Sequence, residues 1–167
     1  MDEKRKGLAM AETLGSLIDK LTIKDLREFH IREMIERNDP KFTKAELEDK
    51  LRILADQKKQ MQEEIDAFLV SAIKGEISVR DEKLKIYNKR DHIGKTGDVR
   101  TISGAIEGLA DSNIKLWHLE DEARREDVDL SYIGEVKRKI DAMNQRRNDF
   151  IDLIDQLLEE KVIARNK

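Results

Sequence analysis

Apolar residues recur at helical spacing in four blocks, and the blocks fall into two pairs. Leu14, Ile18 and Leu21 open the first, and Asp25 and Phe29 continue their line. This predicts a helix from Thr13 to near Asn38, where Pro40 forbids continuation and restricts Asp39 as well. Thr43-Lys-Ala-Glu46 has the form of a capping box, in which hydroxyl and carboxylate each take an orphan backbone N–H. A second helix follows on Leu47, Leu51, Leu54, Lys58, Met61, Ile65 and Phe68, a coiled-coil-like seam broken once by Lys58. Gly75 is the stop signal. The helical pattern returns from Thr101 with Ile106, Leu109, Asn113 and Trp117. It resumes after a break near Val128 with Val136, Ile140, Met143, Arg147, Phe150, Ile154 and Leu157. Here the polar interruption of the seam is Arg147.

The second pair reads as a copy of the first. Trp117-His118 answers Phe29-His30 at a separation of 88 residues, and Arg125 and Asp127 answer Arg37 and Asp39. Internal duplication of a helical hairpin is the natural reading. The chain is expected to form a single helical domain over 1–167, with hairpins at 13–75 and 101–165 and a long basic connection at 76–100. An isolated hairpin would leave an apolar stripe in water, so the expected fold is all-α, an antiparallel four-helix bundle. The second and fourth helices overhang the other two, which suggests a homodimer.

Composition narrows the function classes. Of the 167 residues, 41% are charged and 4% aromatic, with one Pro, which suits long amphipathic helices better than a sandwich or barrel. The net charge of −3 gives no long-range attraction to nucleic acid. There is no Cys, so disulfides and thiolate chemistry are excluded. No apolar run nears the roughly 20 residues of a membrane helix, and the charged N-terminus has no apolar signal core. Residence in the cytoplasm, away from membranes, is the expectation.

The third helix changes character along its length. On a wheel centred on Asn113, Ile106 and Leu109 lie within about 40° of the centre, as do Trp117, Glu120 and Arg124, with Asp121 further round. His118 falls on another side. The apolar stripe therefore turns polar over the last two turns. The first helix repeats this with Asp25, Phe29, Arg32, Glu33 and Glu36. A base on a seam is costly unless paired. This predicts a buried polar layer in which Arg147 and Lys58 meet Glu120, Asp121, Glu33 or Asp25, near Asn113. The candidate binding layer is Asn113, Trp117, His118, Glu120, Asp121, Arg124, Arg147 and Lys58. The simplest role for such a layer is to select one pairing of the helices.

Three sharper chemistries are weaker. His30-x-x-Glu33 and His118-x-x-Asp121 have the spacing of a bundle metal site, but Lys58 and Arg147 on the opposing seams would repel a cation. No metal or cofactor is expected. Arg147, Arg146, Lys58 and Lys59, with the connection's Arg80, Lys83, Lys85, Lys89 and Arg90, could hold a phosphate-bearing small molecule. Gly94-Lys95-Thr96 resembles the end of a phosphate loop, yet the position needing the first glycine is Lys89. Acid–base chemistry at His118 or His30 has no accompanying nucleophile motif.

Leu116-Trp-His-Leu-Glu-Asp-Glu-Ala-Arg124, followed by the Ile140-Asp-Ala-Met-Asn-Gln-Arg-Arg-Asn-Asp149 stretch, resembles an uncharacterised bacterial domain-of-unknown-function family. Its members carry an L-W-H-x-E-D-x-A-R helix and then an I-D-x-x-N-Q-x-R-x-D helix. The resemblance covers residues 105 to 160 and implies an all-helical fold without naming an activity. It also implies an association with cell-surface polysaccharide and glycosyltransferase genes, hence a phospho-sugar or a protein partner. The functional expectation is a non-catalytic interaction or adaptor module. The alternative is a binder of, or enzyme on, a phosphorylated sugar or nucleotide sugar at the polar layer.

Overall fold

The computed structural model describes residues 12–80 and 96–165. Among them are four helices and no strand: α1 (Leu14–Glu36), α2 (Lys44–Lys74), α3 (Ile102–Ala123) and α4 (Leu130–Arg165). They form a four-helix bundle. Residues 81–95 of the expected basic connection, with Gly94-Lys95 of the phosphate-loop-like run, lie outside the described residues.

Local chemistry sets the helix ends. The Thr13 hydroxyl accepts the Ser16 N–H, and Ser16 Oγ accepts the Thr13 N–H, a capping box built with serine in place of glutamate. At the other end of α1, Asn38 takes φ 50°, a left-handed conformation that asparagine tolerates. Thr43 and Glu46 form the expected capping box on α2, with the Thr43 N–H donating to Glu46 Oε2 at 2.7 Å. Gly75 closes α2 at φ 70°. Thr101 caps α3 through the Gly104 N–H, and Asp129 Oδ1 accepts the Tyr132 N–H at the start of α4.

Short connections make α1/α2 and α3/α4 antiparallel pairs. α1 also runs antiparallel to α4, since Gly15 meets Asp155 and Asp19 meets Arg147. The main core gathers Leu14 and Leu17 of α1, Phe68 and Ala72 of α2, Leu109 of α3 and Ile154 of α4. Leu116, Val136 and Ile140 form a smaller, separate core between the distal halves of α3 and α4. α2 packs chiefly on α1, whereas α1 packs on all three other helices.

Two glycines mark where helices come closest. A Cβ on Gly15 would sit 2.4 Å from the Ile151 carbonyl oxygen, and one on Gly108 would sit 2.2 Å from the Phe150 ring. Phe150, 2% exposed, occupies the space that Gly108 leaves in α3.

The expected inward line of α1 departs from the structure in its second half. Phe29 is 57% exposed and the Asp25 side chain 54%. The side that turns in carries Asp19, Thr22 and His30. The reason is that α1 has partners on two flanks, so its buried arc is wider than one seam and rotates from α2 toward α3. Asp25 and Asn113, matched positions in the two hairpins, consequently lie in unlike surroundings, one exposed and one buried.

Gly108→Ala is expected to destabilise the fold by about 1–3 kcal/mol through overpacking, and Phe150→Ala by about 3–5 kcal/mol. Because the two groups compete for one space, Gly108→Ala combined with Phe150→Leu should cost less than the two changes summed, as read by urea unfolding.

Candidate functional site

The buried polar centre lies where α1, α3 and α4 meet. Asp19 (4% exposed) is a buried carboxylate on α1. Arg147 of α4 grips it as a fork: Nε donates to Oδ1 at 2.8 Å and Nη2 donates to Oδ2. From α3, Asn113 (5% exposed) donates through Nδ2 to Asp19 Oδ1 and to Thr22 Oγ1, each at 2.9 Å. The Thr22 hydroxyl donates to the Asp19 carbonyl at 2.9 Å. One carboxylate thus collects a guanidinium and an amide from two other helices. The hydrogen bond from Arg147 to Asp19 holds the guanidinium pKa above its ordinary value, against the opposing effect of burial.

Further along α4, Asp155 (2% exposed) accepts the Gly15 N–H at 2.7 Å, so a carboxylate sits at the N-terminus of α1 where free amides and the helix dipole favour it. On the neighbouring side of α4 the Arg146 guanidinium lies 5.4 Å from the Phe150 ring centroid. Its Nε is buried with no hydrogen-bond partner. Asp149 accepts from Gln145 Nε2 at 2.8 Å through Oδ1, while its Oδ2 is also buried and unpartnered.

Lys58 belongs to a second, separate cluster. Its ammonium group lies 2.5 Å from Asp25 and 2.6 Å from Glu28, and Arg32 also binds Glu28. These contacts bring only α1 and α2 together. Hydrogen bonds donated by Lys58 to Asp25 and then to Glu28 raise the Lys58 pKa. Hydrogen bonds from Lys58 and then Arg32 lower that of Glu28.

A third contact joins α1 to α3. The His30 imidazole stacks on the Trp117 indole at 4.3 Å between centroids and 7° between planes, and His30 Nδ1 is 3.0 Å from Glu33 Oε2. Glu33 also pairs with Arg37.

The expected single layer therefore resolves into parts. Asn113 and Arg147 do come together, and Trp117 lies half-buried on α3 against His30. Lys58 is satisfied away from that centre, by Asp25, one of the acids expected for it, and by Glu28. His118, Glu120, Asp121 and Arg124 are exposed. Arg124 pairs with Asp121 at 3.1 Å and Glu120 at 3.8 Å on its own helix, so these acids do not serve Arg147 or Lys58. The reason is length: α3 ends at Ala123, and its polar last turns project beyond the level at which Arg147 crosses.

Asp19 and Thr22 are the partners that sequence reasoning missed. An Asp beside Lys20 reads as surface, and the available signal was the one-sided line Gly15, Asp19, Thr22. Its small first member lets α4 approach closely enough for Arg147 to reach. Among the described residues no group of three or more His, Asp or Glu could hold a metal ion, and no helix is long and apolar enough to cross a membrane. Arg80 of the basic connection pairs with Glu159; Lys83, Lys85, Lys89 and Arg90 lie outside the described residues.

Arg147→Met leaves the Asp19 carboxylate buried without its counter-charge and should cost about 3–5 kcal/mol in urea unfolding. The pair replacement Asp19→Leu with Arg147→Met should recover most of that loss. The Lys58 cluster carries a pH signature. Glu28, with its folded pKa depressed, contributes stability above the ordinary glutamate range that is lost as pH falls through the depressed value. Lys58, with its folded pKa raised, contributes stability below the ordinary lysine range that is lost as pH rises through the raised value. Lys58→Met should flatten both limbs of a stability–pH curve, the acid limb only in part because Arg32 still lowers Glu28.

The sequence was also compared with known proteins. No curated protein and no solved structure matches the chain significantly. The family described as "Protein of unknown function (DUF4254)" matches residues 2–80 and 104–167, which takes in α1, α2, α4 and all of α3 but its first two residues, with the Asp19–Asn113–Arg147 centre and the Lys58 cluster. On that match the chain belongs to the DUF4254 family.

Proposed function

We propose that this chain is a non-catalytic helical interaction module, an adaptor of the bacterial cytoplasm serving cell-surface polysaccharide synthesis. The observation that carries the reading is the closure of the central ion pair. Arg147 spends its fork on Asp19, and the Asn113 amide spends its donors on Asp19 and Thr22, so the charges answer one another across three helices. A layer of this kind selects one register of the helices. A rigid, uniquely registered bundle is suited to presenting its outer faces to a protein. Two hairpins descended from one duplicated unit account for the two seams, each interrupted by a single base.

A second reading is favoured by one observation. Next to Arg147, the Arg146 Nε and Asp149 Oδ2 atoms are a buried donor and a buried acceptor, each without a partner. A hydroxyl group can accept from the first and donate to the second, and vicinal hydroxyls are what a sugar offers. Under this reading the chain binds a phosphorylated sugar or nucleotide sugar, with the phosphate drawn to the guanidinium side.

A thermal-melting panel of inorganic phosphate, sugar phosphates and nucleotide sugars separates the two. The module reading expects no change in Tm with any of them. A ligand-dependent rise in Tm that disappears in Arg146→Met would overturn it in favour of the binder.

A further inference from the structure

We infer that two copies of this chain associate antiparallel along the N-terminal part of α4, about a two-fold axis passing close to Gly134. The inference rests on the interaction-module reading and names the face that such a module would use.

Gly134 is the first observation. It lies in the second turn of α4, where glycine disfavours a helix by up to roughly 1 kcal/mol relative to alanine. Gly15 and Gly108 have packing reasons inside the chain, because a Cβ there would strike a neighbouring helix. A Cβ on Gly134 meets nothing within 4 Å. The fold itself does not require a glycine at this position, but a helix from outside that comes close to this backbone would.

The second observation is what shares the side of Gly134. Leu130 precedes it by four residues and Arg138 follows it by four, placing all three on one face of α4. That face points about 150° away from the side on which Val136, Ile140 and Met143 pack against Leu116 and Leu119. Leu130 is 89% exposed, the most exposed large apolar side chain among the described residues. Lys137 and Arg138 are exposed and pair with no acid among the described residues.

Charge complementarity identifies the occupant as a second copy. The turn leading into α4, residues 124–129, holds three acids against two bases. Asp127 pairs with Arg125 and Asp129 accepts the Tyr132 N–H, while Glu126 is exposed and pairs with no base among the described residues. Glu126 lies on one side of Gly134 and the Lys137-Arg138 bases on the other. Two such helices laid antiparallel about Gly134 set Leu130 of each against Arg138 of the other, because both are four residues from the axis. The aliphatic stem of Arg138 then covers the exposed leucine while its guanidinium reaches toward Glu126 of the other copy. A contact that answers itself when a two-fold is applied is what an isologous dimer needs, and the absence of a side chain at the axis lets the two backbones approach.

The experiment is sedimentation velocity on the full chain over a concentration series, with far-UV circular dichroism as a control on folding. The expected result is a concentration-dependent shift from the 19.4 kDa chain mass to twice that value. Gly134→Gln should weaken association at least ~10-fold, or 1.4 kcal/mol, without lowering the melting temperature of the dilute chain. Arg138→Glu should do the same, and the double variant Glu126→Arg, Arg138→Glu should restore association. A chain that stays at its monomer mass throughout overturns the inference, as does a dimer indifferent to both Gly134→Gln and Arg138→Glu. Ligand-dependent melting would defeat the module reading and leave these masses unchanged, so the two can fail separately.

Discussion

The fork that Arg147 places on Asp19 is the interaction to which the rest of the bundle answers. It spans from α4 to α1, and Asn113 brings α3 to the same carboxylate. A buried ion pair contributes little net stability, because the desolvation of both groups offsets most of their attraction. Its consequence is geometric. Sliding α1 or α4 by one turn would strand a charge in an apolar core, so the pairing of three helices is decided at a single level. Gly15 and Gly108, one turn or more to the sides, then have to be small because the helices are drawn together there.

α2 stands outside this arrangement. It packs chiefly on α1, and its one seam base is neutralised by Asp25 and Glu28 of that helix alone. The two hairpins therefore do unlike work although their patterns match. α3/α4 supplies the amide, the guanidinium and a small core of its own around Val136 and Ile140. α1/α2 supplies the carboxylate and most of the other half of the main core. Toward the hairpin tips the helices separate into pairs, tied across by the His30–Trp117 stack.

Family membership is consistent with this picture and adds no chemistry to it. The matched residues cover both polar clusters, while the break in the match, 81–103, falls on the connection between the hairpins. Among the described residues, Arg146 Nε and Asp149 Oδ2 are a buried donor and a buried acceptor left without a hydrogen-bond partner beside the centre.

Periodicity along the chain was enough to determine four helices, the caps at Thr43 and Gly75, the seams of α2 and α4, and the fact that Arg147 and Lys58 must find acids. These are local or one-dimensional properties: a cap needs residues three apart, and a seam needs only spacing. Asp25 was already among the acids expected for Lys58, but which acid Arg147 would find was decided by tertiary structure. Asp19 outcompeted Glu120 and Asp121 because it lies at the level where α4 crosses α1 beside a glycine, and no spacing within one helix encodes that level. The rotation of the buried side of α1, which exposes Phe29 and turns His30 onto Trp117, has the same origin. A helix with two flanking partners buries an arc whose direction is set by where those partners lie, and that is a property of the assembled bundle.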